Sequence, residues 1–193
     1  STGLTALAPD EVGVVKRFGQ AKGTLEPGLH VRWPNPIETV VRLKPKTVRV
    51  LEVGFRSGPG EGGLTWSNAH GEGFRRVSDE AVMVTGDLGL VEVSATVHYR
   101  LGDPQQYLFA CENPEAILRS TTEAVLRELL AGQDFLTILT TKRAGFQQLA
   151  FEKLQARFDE NLGLHLEGLT VHDLHPPAEV VPVYHDVAKA IQN

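Results

Sequence analysis

An α+β fold, with helices laid on one side of mostly antiparallel sheet, is what the order of patterns along this chain predicts. Three observations carry it. Residues 91–101 (VEVSATVHYRL) alternate strictly, with Val91, Val93, Ala95, Val97, Tyr99 and Leu101 on one face and Glu92, Ser94, Thr96, His98 and Arg100 on the other. Directly afterwards the period becomes helical, and two starts, Asp103-Pro104 and Asn113-Pro114, place a capping side chain before a first-turn proline. After the helices, residues 164–174 (LHLEGLTVHDL) return to strand character. Strands, then helices, then a strand and a helix give two small subdomains.

The earlier strands are shorter. Residues 12–18 (VGVVKRF) read as a strand, 20–28 (QAKGTLEPG) as turn material and 29–33 (LHVRW) as a second strand that Pro34 and Pro36 end. The first seven residues predict no element of their own. Residues 38–43 and 46–53 give two further strands. Seven glycines within 54–78 predict a long loop, because glycine sustains neither a strand nor a helix interior. Residues 80–84 predict a strand, and TGDLG at 85–89 a turn into the alternating strand.

Helices are expected over 103–111, 113–132 and about 140–162. The second carries Leu118, Val125, Leu126 and Leu129 on one stripe and stops at Gly132. The third is capped by Thr140 or Thr141, repeats Phe151, Leu154, Phe158 and Leu162, and stops at Gly163. A last helix, 177–192, follows Pro176-Pro177. The chain thus divides into a β-rich part, 8–78, and an α+β part, 79–193.

Composition narrows the function. With 41% hydrophobic and 22% charged residues the chain is globular, and its formal charge of −5 gives no electrostatic basis for nucleic acid. One cysteine, Cys111, precludes an internal disulfide or a Cys-rich zinc site. No run nears the ~18 apolar residues of a membrane span, and STGLTAL lacks the basic lead and apolar core of a signal peptide. Both ends read as those of an excised piece. Catalytic patterns are equally thin. GPGEGG is followed by no GK[ST], so a phosphate cradle is not indicated. His172 and His175 point to opposite faces of a strand, which argues against a shared metal. Ser57 and Ser94 sit in no nucleophile elbow, and Asp87 has a local turn role. No catalytic, cofactor or metal residue is expected. A hydrolase using Cys111 or the His172/His175 pair is the rival from another class.

Several segments in order carry a resemblance: PDEVGVVKRFGQ at 9–20, EPGLHVRWPNPIETV at 26–40, VMVTGDLGLVEVSATVHYRLGDPQQYLFA at 82–110, LRSTTEAVLRELLAG at 118–132, ILTTKR at 138–143 and GLHLEGLTVHDLHPPAEV at 163–180. Together they resemble the band 7 proteins, the stomatin/prohibitin/flotillin/HflK-HflC (SPFH) superfamily, and most nearly the HflK branch. The resemblance implies a non-enzymatic scaffold, anchored upstream of this stretch and continued downstream by a coiled coil. It also implies assembly, as a homo-oligomer or with an HflC-like paralogue, into rings or cages on the bacterial inner membrane, facing the periplasm, around an FtsH-type AAA protease. A lipid-microdomain organiser of stomatin or flotillin type is the alternative within the family. The Gly-rich loop and Gly89, where the branch often has Asn, depart from its pattern.

Two sets of residues follow as candidates. Family membership places the first β-subdomain against the bilayer, and Leu29, Trp33, Pro34 and Pro36 suit lipid contact, since Trp favours the headgroup level. In the last helix Val180, Tyr184, Val187 and Ile191 recur at four, three and four residues, a seam suited to packing on a neighbouring subunit.

Overall fold

The computed structural model describes residues 3–31, 33–35, 37–57, 74–140, 143–158 and 160–181. The chain folds as two compact units, each gathered from three separated segments. Unit 1 takes Ser1–Arg49, His98–Leu118 and Phe158–Glu167; unit 2 takes Val50–Val97, Arg119–Arg157 and Gly168–Asn193.

Unit 1 opens with a strand where none was expected. β1 (Leu4–Leu7) pairs antiparallel with β4 (Gly28–Val31), Leu4 opposite Val31 and Leu7 opposite Gly28. Its ladder partner lies far along the chain, so local pattern could not reveal it. Residues 20–25 are likewise strand rather than turn material. β3 (Gln20–Leu25) pairs with β2 (Val12–Arg17), which also pairs with β5 (Glu38–Leu43), in the order β3-β2-β5. The link between β2 and β3 is Phe18-Gly19 alone, at φ 49° and 84°, the doubly positive backbone of a tight hairpin loop. Gly13 of β2 sits where a Cβ would lie 2.9 Å from Leu7 Cδ1 and from Val40 Cγ1, so strand β1 packs close over this sheet.

The helical starts in this unit are made as their sequence dictates. Asp103 accepts hydrogen bonds from Gln105 N (2.7 Å) and Gln106 N (3.1 Å) at the head of α2 (Pro104–Phe109). Asn113 Oδ1 accepts from Ala116 N (3.0 Å) at the head of α3 (Pro114–Ala131). Asp103→Ala should therefore cost about 0.5–2 kcal/mol, read as a lower urea midpoint at unchanged m-value. Glu115, in the first turn of α3, accepts from Tyr99 OH (2.7 Å), Tyr107 OH (3.3 Å) and Arg49 Nη1 (3.5 Å). Burial and that carboxylate push the Tyr99 phenol well above its ordinary value. Val14, Leu101, Leu118 and Leu164 are fully enclosed in this unit.

In unit 2 the main sheet runs β11 (Leu164–His175), β10 (Leu90–Leu101), β6 (Arg49–Val53), with β9 (Val82–Val84) antiparallel to β10. The first residue of β6, the last four of β10 and the first four of β11 belong to unit 1. The expected wet face of β10 survives only at its end, where His98 is half-buried and Arg100 exposed; Glu92, Ser94 and Thr96 are buried along with their apolar neighbours. Tertiary partners make this possible. Thr96 Oγ1 is hydrogen-bonded to His172 Nε2 at 2.7 Å, and Glu92 Oε1 lies 2.6 Å from Arg76 Nη1.

The expected loop over 54–78 is strand at both of its ends. β7 (Phe55–Ser57) pairs antiparallel with β8 (Phe74–Arg76), Phe55 opposite Arg76; residues 58–73 lie outside the described residues. A single helical turn, α1 (Ser78–Ala81), replaces the start of the strand expected at 80–84. The expected third helix is preceded by a separate one, α4 (Phe135–Thr140), with Asp134 Oδ2 accepting from Thr137 N (2.9 Å). α5 (Arg143–Arg157) follows, so Thr140 closes one helix instead of capping the next, and Thr141 lies outside the described residues. Leu126, Leu130, Ala150 and Leu154 are fully buried from α3 and α5.

Candidate lipid-facing and assembly surfaces

The β1–β4 ribbon owes its two-sidedness to register. Residues directly opposite one another share a face, so the pairs Leu4–Val31 and Ala6–Leu29 project together. All four are exposed, Val31 at 87% and Leu29 at 68%, whereas Thr5 and Leu7 on the other side are buried. Four apolar side chains thus stand outward on a hydrogen-bonded ladder. Trp33 follows at 60% exposure, and Pro34 is also exposed; Pro36 lies outside the described residues.

The Trp33 segment is fixed by its backbone. Trp33 N donates to Glu38 Oε2 at 3.1 Å, and Arg17 grips Glu38 Oε1 through Nε (2.9 Å) and Nη2 (2.6 Å). The Arg17 hydrogen bonds hold the Glu38 carboxyl below the usual glutamate range. Ile37 N donates to Pro34 O (3.1 Å) and Phe18 N to Ile37 O (3.3 Å), which brings the two turns to one end of the β3-β2-β5 sheet. Phe18, 79% exposed at the hairpin tip, therefore stands near the Trp33 turn. Sequence reading named Leu29 and Trp33; it missed Leu4, Val31 and Phe18. Phe18-Gly19 was the available signal for the last, an aromatic beside the glycine of a two-residue link.

Of the candidate assembly residues, Val180 is half-buried just after the Pro176-Pro177 break, its N–H donating to Pro177 O at 3.0 Å. Tyr184, Val187 and Ile191 lie outside the described residues. The segment before Val180 is tethered, because Arg76 Nη2 lies 3.3 Å from Glu179 Oε1 while Nη1 holds Glu92.

Of the residues in the rival reading, the two histidines have partners. His172 bonds Thr96 and meets the Phe55 ring edge-on at 5.7 Å. His175 Nδ1 donates to Pro176 O (2.7 Å), and its Nε2 lies 3.3 Å from Asp173. Cys111 is half-buried in the link between α2 and α3. Among the described residues no cluster of three or more His, Cys, Asp or Glu side chains is placed to hold a metal ion, and no helix is long and apolar enough to cross a membrane.

The described residues thus give an α+β domain with apolar side chains held outward on one ladder and one turn. The chain belongs to the SPFH domain / Band 7 family, whose model matches residues 6–193. It is 32% identical over 193 residues to Protein HflK of Treponema pallidum (strain Nichols), covering 98% of this chain and 56% of that protein. Protein HflK of Borreliella burgdorferi is 26% identical, over 97% of this chain and 58% of its own length. The Modulator of FtsH protease HflK of Escherichia coli (strain K12) is 27% identical, over 100% of this chain and 40% of its own. The chain thus spans roughly half the length of the relatives it matches.

Proposed function

We propose that this chain is the SPFH domain of a non-enzymatic, membrane-anchored scaffold that oligomerises and modulates a membrane protease of the FtsH type. The observation that carries this is its likeness, over nearly its whole length, to bacterial proteins named HflK, one of them titled a modulator of FtsH protease. Assembly as a homo-oligomer or with an HflC-like paralogue, and a position on the periplasmic or outer face of the inner membrane, belong to the same reading. So does the division into a membrane-proximal part, 8–78, and a core part, 79–193, with Tyr184, Val187 and Ile191 continuing Val180 toward a coiled coil. The direct test reconstitutes an FtsH-type protease in proteoliposomes with the full-length protein and follows degradation of a membrane substrate. Identical rates with and without it would refute the modulator role.

Lipid contact through Leu29, Trp33, Pro34 and Pro36 is the second part. The outward ribbon supports it: Leu4, Val31 and Leu29 gain roughly 1.5–3 kcal/mol each if fully removed from water. Trp66 is replaced by Phe so that Trp33 alone reports. Trp33 emission should then shift blue on mixing with anionic or zwitterionic vesicles, and the chain should float with them. Val31→Asp combined with Leu29→Asp should abolish both effects while leaving the circular dichroism unchanged. Unshifted emission and no flotation would remove the membrane surface from the proposal.

A further inference from the structure

Beside the outward ribbon, unit 1 holds a hollow that apolar contact with lipid does not use. Its volume is about 230 Å³, its apolar walls are Val15, Leu25 and Val31, and its charged groups are Lys22 and Glu38. Two features of β3 make it. Val15 stands opposite Gly23 but Lys16 stands opposite Ala21, so Lys22 is an extra residue in the strand. Such a bulge re-aims the side chain it carries. Gly23, also in the lining, supplies no side chain, and a Cβ there would meet nothing within 4 Å. The two charges are not equivalent. Glu38 is already engaged by Arg17 at 2.6 Å and by the Trp33 amide at 3.1 Å. Lys22 is exposed and is in no ion pair among the described residues. The hollow therefore presents a cation whose neighbouring acid is already neutralised.

Size narrows the ligand. The hollow lies below the roughly 300 Å³ at which pockets for drug-sized molecules begin, which suits a small group and not a whole amphiphile. We propose that it binds the phosphate of an anionic phospholipid headgroup, with Lys22 as the counter-charge. The lipid source follows from position. Val31 belongs both to the lining and to the outward face of β4, directly opposite Leu4, so a headgroup seated here leaves its chains beside the exposed ribbon. A headgroup that pairs its phosphate with an ammonium is disfavoured, because Glu38, the acid of the lining, is taken by Arg17. The attraction is local. The whole chain carries a formal charge of −5, so its net charge is repelled by an anionic surface and cannot supply the preference. The site rests on the lipid contact proposed above and names the headgroup.

The test compares flotation of the chain with vesicles of phosphatidylcholine alone and with vesicles that also contain phosphatidylglycerol. Binding to the second should be about fivefold tighter at low salt, the ~1 kcal/mol of one lysine at an anionic surface, and the difference should fade as salt rises. Lys22→Gln should bring the ratio to about one and leave binding to neutral vesicles unchanged. Gly23→Leu, which fills the hollow and keeps the lysine, should do the same. Both variants should retain the circular dichroism and the urea midpoint of the parent. Glycerol phosphate in solution, at the same phosphate concentration, should not compete; full competition would assign the hollow to a soluble ester and overturn the lipid source. A ratio near one in the parent, or one that either substitution leaves intact, would overturn the site while the ribbon contact stands. Flotation with neither kind of vesicle would remove both.

Discussion

Gly163→Ala should unfold unit 1 at denaturant concentrations the parent tolerates. Gly163 stands at φ 74°, and its carbonyl accepts from Gly102 N at 2.9 Å, joining the start of β11 to the end of β10. A Cβ there would lie 2.2 Å from Tyr107 N and 2.5 Å from Asp103 O. Those atoms are helix backbone, which cannot rotate aside as a side chain can. The left-handed conformation alone costs a non-glycine residue about 1–2 kcal/mol. Displacing the first turn of α2 brings the total to roughly 3–5 kcal/mol, the large end for a point substitution. Urea unfolding followed by circular dichroism checks this, and a midpoint within error of the parent would mean that α2 does not press on Gly163.

Glu80→Ala is the second large effect, and it belongs to unit 2. The carboxylate accepts from Gly54 N (3.1 Å), Arg56 Nη1 (2.9 Å), Arg56 Nη2 (2.5 Å) and Arg119 Nη1 (3.2 Å), while Arg119 also reaches Glu52 O. Glu80 is largely buried; the arginines are part-exposed. Removing one partner of a buried pair costs about 3–5 kcal/mol, and solvent access to the arginines lowers this to roughly 2–4 kcal/mol. The same group gives an acid dependence. Burial alone would raise its pKa, but the hydrogen bonds from Arg56, then the Gly54 amide and the charge of Arg119, outweigh burial and hold it below the usual glutamate value. With the folded pKa below the unfolded one, the stabilisation is complete above the unfolded value and is lost as pH falls through the folded one. The stability gap between the parent and Glu80→Gln should therefore narrow in acid. A gap constant with pH would show that Glu80 acts through shape alone.

Much of the architecture was legible because its signals are local. The Asp103-Pro104 and Asn113-Pro114 starts, the Leu118-to-Leu129 stripe and the alternation of 91–101 each speak within a few residues, and the structure has all of them. What escaped was made by distant partners. LTAL at 4–7 becomes a strand only because 28–31 pairs with it, and QAKGTL at 20–25 is an edge strand whose side chains are mostly exposed. Ser94 and Thr96 look like a wet face until the tertiary fold covers them, and Glu92 until Arg76 reaches it. The surface divides in the same way. Leu29 and Trp33 are conspicuous between turn residues, but Val31 and Leu4 join them only through strand register, which no local pattern encodes.

The interleaving of the two units has a consequence for how the polypeptide is born. Unit 1 needs Phe158–Glu167 and unit 2 needs the stretch beginning at Gly168. Neither can close while only its opening residues have left the ribosome, although separate domains commonly fold one after the other during synthesis. The nascent chain carries the long strand β10 without its β11 partner until residues 164–175 have emerged, a window in which a chaperone or a membrane surface can take hold of it first.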